Sequence, residues 1–394
     1  MVYRIVVRVR FIVQVIVLNV SFLAHRIVRS GAPRREWVVG PYEVAGIVRN
    51  LALAIPSCES VILARHPFYS FAYDWMPSER RFPGSGQVRI WLQNPWKLGE
   101  LATRTAGFIY VSGEGYLHSE YDQRRYEFRF LHQHGIRIAC YFTGNDIRSP
   151  RLMKELEAEM GRPNIGTYLG EVNRVFDSLG YDEVKRKIAT SANLYADVVF
   201  NAEVDQRSYL EGPVHPFFYF QNDAEVTDDF SKFDGIDRFV VVHAPSSPIL
   251  KGTPVVRAAV AQLRAEGYDF EYVEIVRAAH SEVLAALSRA HIALNEFYAF
   301  VPGVFGVEAM AAGCTLLASA DERLDLQLPR GSNAAWVVTE HHEIVANLRA
   351  LLDNPALARS KAIAGRDWVR RYAVASVSGA AVANILKSGS RRQS

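Results

Sequence analysis

From residue 36 onward, short apolar runs alternate with amphipathic stretches. The short runs are bounded by Gly, Pro, Asp or Ser and read as buried strands. The stretches between them repeat apolar positions three and four apart and read as helices. The pattern predicts strands over 60–64, 88–91, 107–111, 137–142 and 197–200, then a second series over 239–243, 270–275, 292–294, 315–319 and 335–337. Helices are predicted over 257–266, ended by Gly267, and over 281–289, with Ser281 as N-cap. Such alternation builds doubly wound α/β sheets. Between the two series, residues 213–237 hold two prolines, five aspartates and the run Phe217, Phe218, Tyr219 and Phe220, the marks of an interdomain linker. The layout expected is an extension over 1–35, Rossmann-like domains over 36–225 and 236–370, a closing helix over 371–387 and a disordered tail over 388–394. Open parallel sheets bind ligands beyond the carboxyl ends of their strands, so two in series imply a ligand cleft between them.

The first 35 residues break the pattern. Residues 11–24 form an apolar run of 14, interrupted by Gln14, Asn19 and Ser21. A spanning helix wants roughly 20 apolar residues. A basic stretch precedes the run, as in a signal peptide, but no small-x-small cleavage site follows it. Its Val and Ile content also suits a strand. Three readings stay open for 1–35: an extension outside the fold, a peripheral membrane contact, and a signal or anchor.

Composition narrows the function classes. The chain has 394 residues, 49% hydrophobic and 22% charged, enough for two cores and unlike a disordered or fibrous chain. Cys58, Cys140 and Cys314 lie far apart, which argues against a disulfide framework or a thiolate zinc site and for a reducing, cytoplasmic compartment. The formal charge of +3 misleads. Residues 1–35 carry seven arginines and no acid, leaving 38 Lys and Arg against 42 Asp and Glu elsewhere, a net of −4. A mildly acidic body speaks against a nucleic-acid partner, which wants a basic face on the fold itself.

Residues 291–319 (HIALNEFYAFVPGVFGVEAMAAGCTLLAS) carry the clearest chemistry. A buried strand ends at Leu294, and a loop with Gly303 and Gly306 lets backbone approach a ligand closely. Glu308 is expected to open a helix whose unpaired first-turn N–H groups favour phosphate. An ionised carboxylate there is acceptor-only and suits sugar hydroxyls. Gly313 ends the helix, and the next buried strand follows.

The block Gly-Val-Phe-Gly-Val-Glu-Ala-Met-Ala-Ala-Gly before an apolar strand and Ser resembles the donor-site signature of retaining GT-B glycosyltransferases of family 4, surface-polysaccharide type. The resemblance covers residues 239–319. It implies the GT-B fold, two Rossmann-like doubly wound domains facing an interdomain cleft. It also implies a nucleotide-diphosphate sugar as substrate, no cofactor and no essential metal. In that family the glutamate matching Glu308 binds ribose, and the helix N-terminus, here Gly303, Val304 and Gly306, holds the diphosphate. The family's first glutamate stands eight positions earlier, where this chain has Phe300. Its contact with the donor sugar would pass to Glu296, twelve residues before Glu308.

Supporting motifs follow the family order. In FVVVHAPSSPILKG (239–252), Lys251 matches a lysine that neutralises the diphosphate, while Ser246 and Ser247 stand where an arginine is common. The loop after the next strand, 275–279, would lie against the nucleotide base, and His280 beyond it reads as structural. In the first half, Gly40-Pro41 reads as a turn entering a helix, with Gly40 facing the cleft. Thr-Gly-Asn-Asp-Ile-Arg (143–148) resembles the His-Gly-Ser-Asp-Ile-Arg element of polysaccharide-type transferases, with Thr143 replacing the His. Gly144 and Arg148 would form the acceptor side, and Asp146 would orient an acceptor hydroxyl or cap a helix. In VSGEGYLH (111–118), His118 or Glu114 is a further candidate to face the acceptor. Glu296, Asp146 and His118 are therefore the catalytic candidates.

The function expected is a retaining glycosyltransferase of hexosyltransferase type, acting on a glycan or lipid-linked acceptor at or near the inner membrane face. A degenerate module that binds a nucleotide sugar or glycan, and a GT-B sugar-nucleotide epimerase, are the alternatives. A dinucleotide-dependent dehydrogenase is disfavoured because no G-x-G-x-x-G follows a first strand.

Overall fold

The structure is a computed structural model that describes residues 2–28, 35–67, 69, 71–77, 85–117 and 120–389. His118 and the end of the tail, 390–394, lie outside the described residues. The first half holds strands β1 (Arg35–Pro41), β2 (Cys58–Ser60), β3 (Thr105–Val111), β4 (Arg137–Tyr141) and β5 (Val198–Phe200). The second holds β6 (Phe239–His243), β7 (Phe270–Glu274), β8 (Ile292–Leu294), β9 (Thr315–Ala318) and β10 (Val337–Val338). They form two five-stranded parallel sheets, ordered β2-β1-β3-β4-β5 and β10-β9-β8-β6-β7. The helices of the first half are α1 (Val2–Val28), α2 (Ile47–Ala54), α3 (Ser85–Val88), α4 (Asn94–Ala102), α5 (Arg125–Gln133), α6 (Pro150–Met160), α7 (Leu169–Val172) and α8 (Leu179–Tyr195). Those of the second are α9 (Thr253–Ala265), α10 (His280–Arg289), α11 (Gly303–Ala311), α12 (Ile344–Asp353), α13 (Pro355–Tyr372) and α14 (Ala375–Ser388).

The period of two along the first sheet divides its core. Val38, Phe108, Tyr110, Ile138 and Cys140 face one side, with Leu98 and Leu101 of α4. Trp37, Val39, Ile109, Val111, Ala139 and Tyr141 face the other, with Ile47 and Leu51 of α2 and Val382 and Leu386 of α14. α14 therefore returns from the second half to cover the first sheet. Gly379 permits the approach, since a Cβ there would lie 2.5 Å from that of Ala54.

Three elements differ from expectation. Residues 35–41 form β1, an interior strand, rather than a loop entering a helix. Gly40-Pro41 ends this strand, and a Cβ on Gly40 would sit 2.0 Å from the Val61 carbonyl oxygen. Residues 88–91 are helical, passing from α3 into a π turn over Arg89–Gln93 and on into α4. The inward face of that run repeats at Ile90, Asn94, Leu98 and Leu101, a helical period that four residues are too few to reveal.

The third difference is α1. For Val2–Val28 the reading of an extension outside the fold does not hold. Val7, Gln14, Leu18, Ser21 and Phe22 are buried, and Leu18 and Phe22 join the core of the first sheet. The Phe22 ring meets Phe130 edge to face at 5.3 Å. Gly99 of α4 lets the helices touch, because a Cβ there would lie 2.7 Å from the Leu18 carbonyl oxygen. The polar residues that interrupt the run and make it a poor spanning segment lie on its docking face. Gln14 Nε2 donates to the Ile90 carbonyl at 2.7 Å, and Ser21 Oγ donates to the Trp96 carbonyl at 2.6 Å.

Phe22→Ala should destabilise the first domain by about 3 kcal/mol, the usual cost of truncating a buried Phe. Urea unfolding followed by circular dichroism measures this. An unchanged midpoint would mean that α1 is not part of the core.

Candidate active site in the interdomain cleft

Residues that follow β4, β5, β6, β7 and β8 converge on one cleft of about 480 Å³ between the sheets. In the second sheet this is the switch point between β6 and β8, where open parallel sheets hold ligands. The loop from Asn295 to Pro302 is fixed before it reaches the cleft. Ser319 Oγ donates to the carbonyls of Glu296 and Ala299 at 3.1 and 2.6 Å, and Asn295 Nδ2 donates to the Pro302 carbonyl at 2.5 Å. Glu296 projects into the cleft from this loop.

α11 opens at Gly303, not at Glu308, so Glu308 stands in its second turn. Gly303, Val304 and Phe305 form the first turn and line the cleft, and the N-cap residue, Pro302, offers no side-chain cap. The Gly303 N–H donates to the Tyr219 hydroxyl at 3.2 Å. Gly303 has φ +64°, and a Cβ there would lie 2.7 Å from Glu296 Oε1, so both its conformation and its neighbour favour glycine. Gly306 lies deeper, buried against Asn295, and is not a cleft residue.

Lys251, Ser246 and Ser247 reach the cleft from the turn between β6 and α9. Lys251 Nζ is in ion-pair contact with Glu296 Oε1. Burial pulls the Lys251 ammonium down to about 8, and the Asp205 carboxylate opposes this. The contact with Glu296 adds to the opposing side, since a carboxylate beside an ammonium favours its charged form. His243, at the end of β6, holds the turn. Its Nδ1–H donates to the Leu294 carbonyl at 2.8 Å, leaving Nε2 to accept from the Thr253 hydroxyl at 2.9 Å. Burial pulls its pKa down, consistent with a neutral ring.

Glu308 has a partner that the motif alone does not show. His280 Nε2 donates to Glu308 Oε1 at 2.7 Å. The hydrogen bond raises the imidazole pKa, with burial opposing. His280 begins α10, which is capped by the Glu282 carboxylate accepting from the Ala279 N–H at 3.4 Å rather than by Ser281. Across the cleft, the Tyr69 ring of the first domain lies 5.1 Å from the His280 ring. His280, expected to be structural, is thus a cleft residue. Ile275, Arg277 and Ala278 line the same wall.

The first domain contributes Thr143, Gly144, Asn145 and Arg148 after β4. Gly144 has φ +146°, and Asp146 accepts from the N–H groups of Thr143 at 3.1 Å and Gly144 at 2.6 Å. Asp146 is therefore spent on shaping the turn and is not a cleft residue. Arg148 is buried. Its Nε donates to the Asp205 carbonyl at 2.7 Å, its guanidinium meets Asp205 Oδ2 at 3.1 Å, and it also contacts Asn145 Oδ1. Asp205 Oδ1 accepts from the Phe300 N–H of the second domain at 3.0 Å. Phe300, where the family glutamate would stand, is fully buried with Met153, Leu156 and Leu250. Gly40 lies within β1, away from the cleft.

The structure thus brings together Glu296, Glu308, Lys251, Ser246, Ser247, Gly303, Val304, Gly144 and Arg148, and leaves out Asp146, Gly306 and Gly40. Sequence reasoning missed Asp205, Tyr69, Phe217 and Tyr219. Only the aromatic run carried a signal, and it was read as linker.

Residues 252–376 match a family model described as glycosyl transferase-like. A comparison with curated proteins finds no match. Among solved structures, the chain is similar to an alpha-glucosyltransferase in complex with UDP and a 13-mer DNA. The identity is 11%, covering 90% of this chain and 100% of that one, with a TM-score of 0.50. It is also similar to S. aureus MnaA solved with UDP, at 11% identity over 89% of this chain and 95% of that one, TM-score 0.46. For the calicheamicin glycosyltransferase CalG4 the identity is 14% over 92% of this chain and 99% of that one, TM-score 0.41. The likeness to the alpha-glucosyltransferase is one of fold, and the two parallel-sheet domains facing a cleft are the GT-B architecture.

Two outcomes test this geometry. Asp205→Ala strands the Arg148 guanidinium in the interior and should cost about 3–5 kcal/mol of stability, read by urea unfolding. The His280–Glu308 bond has a definite pH sense. Because the folded imidazole pKa is raised, its contribution is full below the ordinary imidazole range and is lost as pH rises through the raised value. Glu308→Gln should therefore lower the His280 titration midpoint measured by NMR, and no movement would refute the pairing.

Proposed function

We propose that the chain is a retaining glycosyltransferase that moves a hexose from a nucleotide-sugar donor to a hydroxyl of a glycan or lipid-linked acceptor. Its setting is glycan or surface-polysaccharide synthesis in the cytoplasm. The observation that carries the reading is the meeting of Lys251, Glu296, Glu308 and the first turn of α11 in one interdomain cleft.

The donor diphosphate lies against the first turn of α11, with the hydroxyls of Ser246 and Ser247 beside it and the Lys251 ammonium turned from Glu296 toward it. These groups stabilise charge where it develops as the leaving group departs. Glu308, oriented by His280, accepts from the ribose hydroxyls, and the 275–279 wall flanks the base. Glu296, released from Lys251, accepts from hydroxyls of the transferred sugar. The acceptor approaches from the side of Gly144, Asn145 and Arg148. As the new glycosidic bond forms on the face that the phosphate leaves, a phosphate oxygen takes the acceptor proton, which retains the anomeric configuration. The scheme assigns the diphosphate charge to Lys251 and α11 and gives no residue a metal-ligand role.

The first measurement is a thermal-shift screen against UDP, GDP, ADP, dTDP and their sugar conjugates. A ligand of the native state at 100 times its dissociation constant adds about 2.7 kcal/mol. At least one should raise the melting temperature, and Lys251→Ala should weaken that ligand about tenfold to a hundredfold. No shift with any nucleotide overturns the donor site, and an unchanged affinity removes Lys251 from it. With an acceptor in hand, NMR of the product anomeric centre tests retention. Conversion of the donor sugar in the absence of acceptor would favour the epimerase.

A further inference from the structure

The two faces of α1 have different fates. The docked face, Val7, Gln14, Leu18, Ser21 and Phe22, is buried on the first domain. The opposite face carries Ile5, Val9, Ile12, Ile16, Val20, Leu23 and Ile27, each three or four residues from the next and between 46% and 80% exposed. That spacing makes one continuous stripe along the helix. The patch extends onto the neighbouring helical stretch, where Val88, Leu92 and Trp96 are exposed, and the Trp96 ring lies 5.6 Å from that of His25. A stripe of this size on a soluble surface marks an interaction face.

Charge says what covers it. The helix contains no acidic residue, and Arg8 and Arg26 are exposed. They are 18 residues apart, about five helical turns, and so lie on the same flank of the stripe. Arginines beside an apolar stripe fit anionic headgroups above acyl chains, and a Trp at the margin suits the headgroup level.

The helix is long and apolar enough to cross a bilayer by length and composition. Its polar residues say that it does not. Gln14 and Ser21 are satisfied by backbone carbonyls of the domain, and Asn19 Nδ2 donates to the Val15 carbonyl and to the Tyr126 hydroxyl at 3.2 Å. Spanning would break the contacts with the domain and uncover its core beneath Leu18 and Phe22. We infer that α1 is a monotopic anchor: it stays docked on the first domain and lies flat in an anionic lipid surface, its exposed stripe immersed and Arg8 and Arg26 at the headgroups.

The test uses the purified full chain and flotation with vesicles. The chain should float with mixed phosphatidylcholine and phosphatidylglycerol vesicles, and less so as salt screens the arginines. Ile12→Glu with Ile16→Glu should abolish flotation while circular dichroism and the melting temperature stay unchanged, since both sites are exposed. Arg8→Ala with Arg26→Ala should weaken binding to the anionic vesicles about thirtyfold, at roughly 1 kcal/mol per charge. Failure of the wild type to float overturns the anchor. Should light scattering then show a dimer that Ile16→Glu dissolves, a second copy covers the stripe instead. Membrane-bound protein that resists alkaline carbonate and yields only to detergent overturns the flat placement in favour of spanning.

Discussion

Asp205 is the point on which the cleft depends. Its carboxylate holds the Arg148 guanidinium with one oxygen and the Phe300 N–H of the other domain with the second, while its carbonyl accepts from Arg148 Nε. Both side chains of the pair are nearly inaccessible, at 4% and 6%. Burying two charges costs several kcal/mol each and is repaid only when every donor and acceptor finds a partner. That condition fixes geometry. The turn after β4 and the loop after β8 cannot shift apart without exposing an unpaired charge, so Gly144 and the Glu296 loop keep a set spacing.

Phe300 stands where the signature that residues 239–319 resemble has a glutamate. Its backbone serves the Asp205 bond, and its ring fills a small apolar cluster between the domains, with the Arg162 guanidinium 5.4 Å from the ring centre. An acid at that position would be desolvated beside Asp205 and would disfavour both charges. Glu296, four residues earlier, comes instead from a segment whose carbonyl is pinned by Ser319. The Glu296 side chain thus meets Lys251 from a backbone held by Ser319.

The legible parts of this protein were those whose signal is local. The second sheet was readable because its strands are short buried runs with Gly and Pro at their ends. Lys251, Glu296, Glu308 and Gly303 were legible as cleft residues because they stand after strand ends and at a helix start, both marked locally in the sequence. β1 was obscured by Gly40-Pro41, which resembles a helix-opening turn and in fact closes a strand. Residues 88–91 and α1 were misjudged for one shared reason. Each is helical because of a face that the other covers, and no window along the chain sees that pairing. His280 and Asp205 were hidden similarly, since their partners stand 28 and 95 residues away.

The two crossings between domains are themselves joined. Gln221 N–H donates to the Ala373 carbonyl at 2.8 Å, and Ala375 N–H donates to the Gln221 carbonyl at 2.7 Å. Past this junction α14 lays Val382 and Leu386 on the first sheet, so that sheet completes its core only after the chain has passed through the second domain. α1 covers the opposite face of the same sheet. The first domain is therefore clamped between helices drawn from opposite ends of the described chain. Mechanical consequences follow from that arrangement. A surface that engages α1 holds the first domain directly, while the second is attached through the paired crossings and the Asp205 bond.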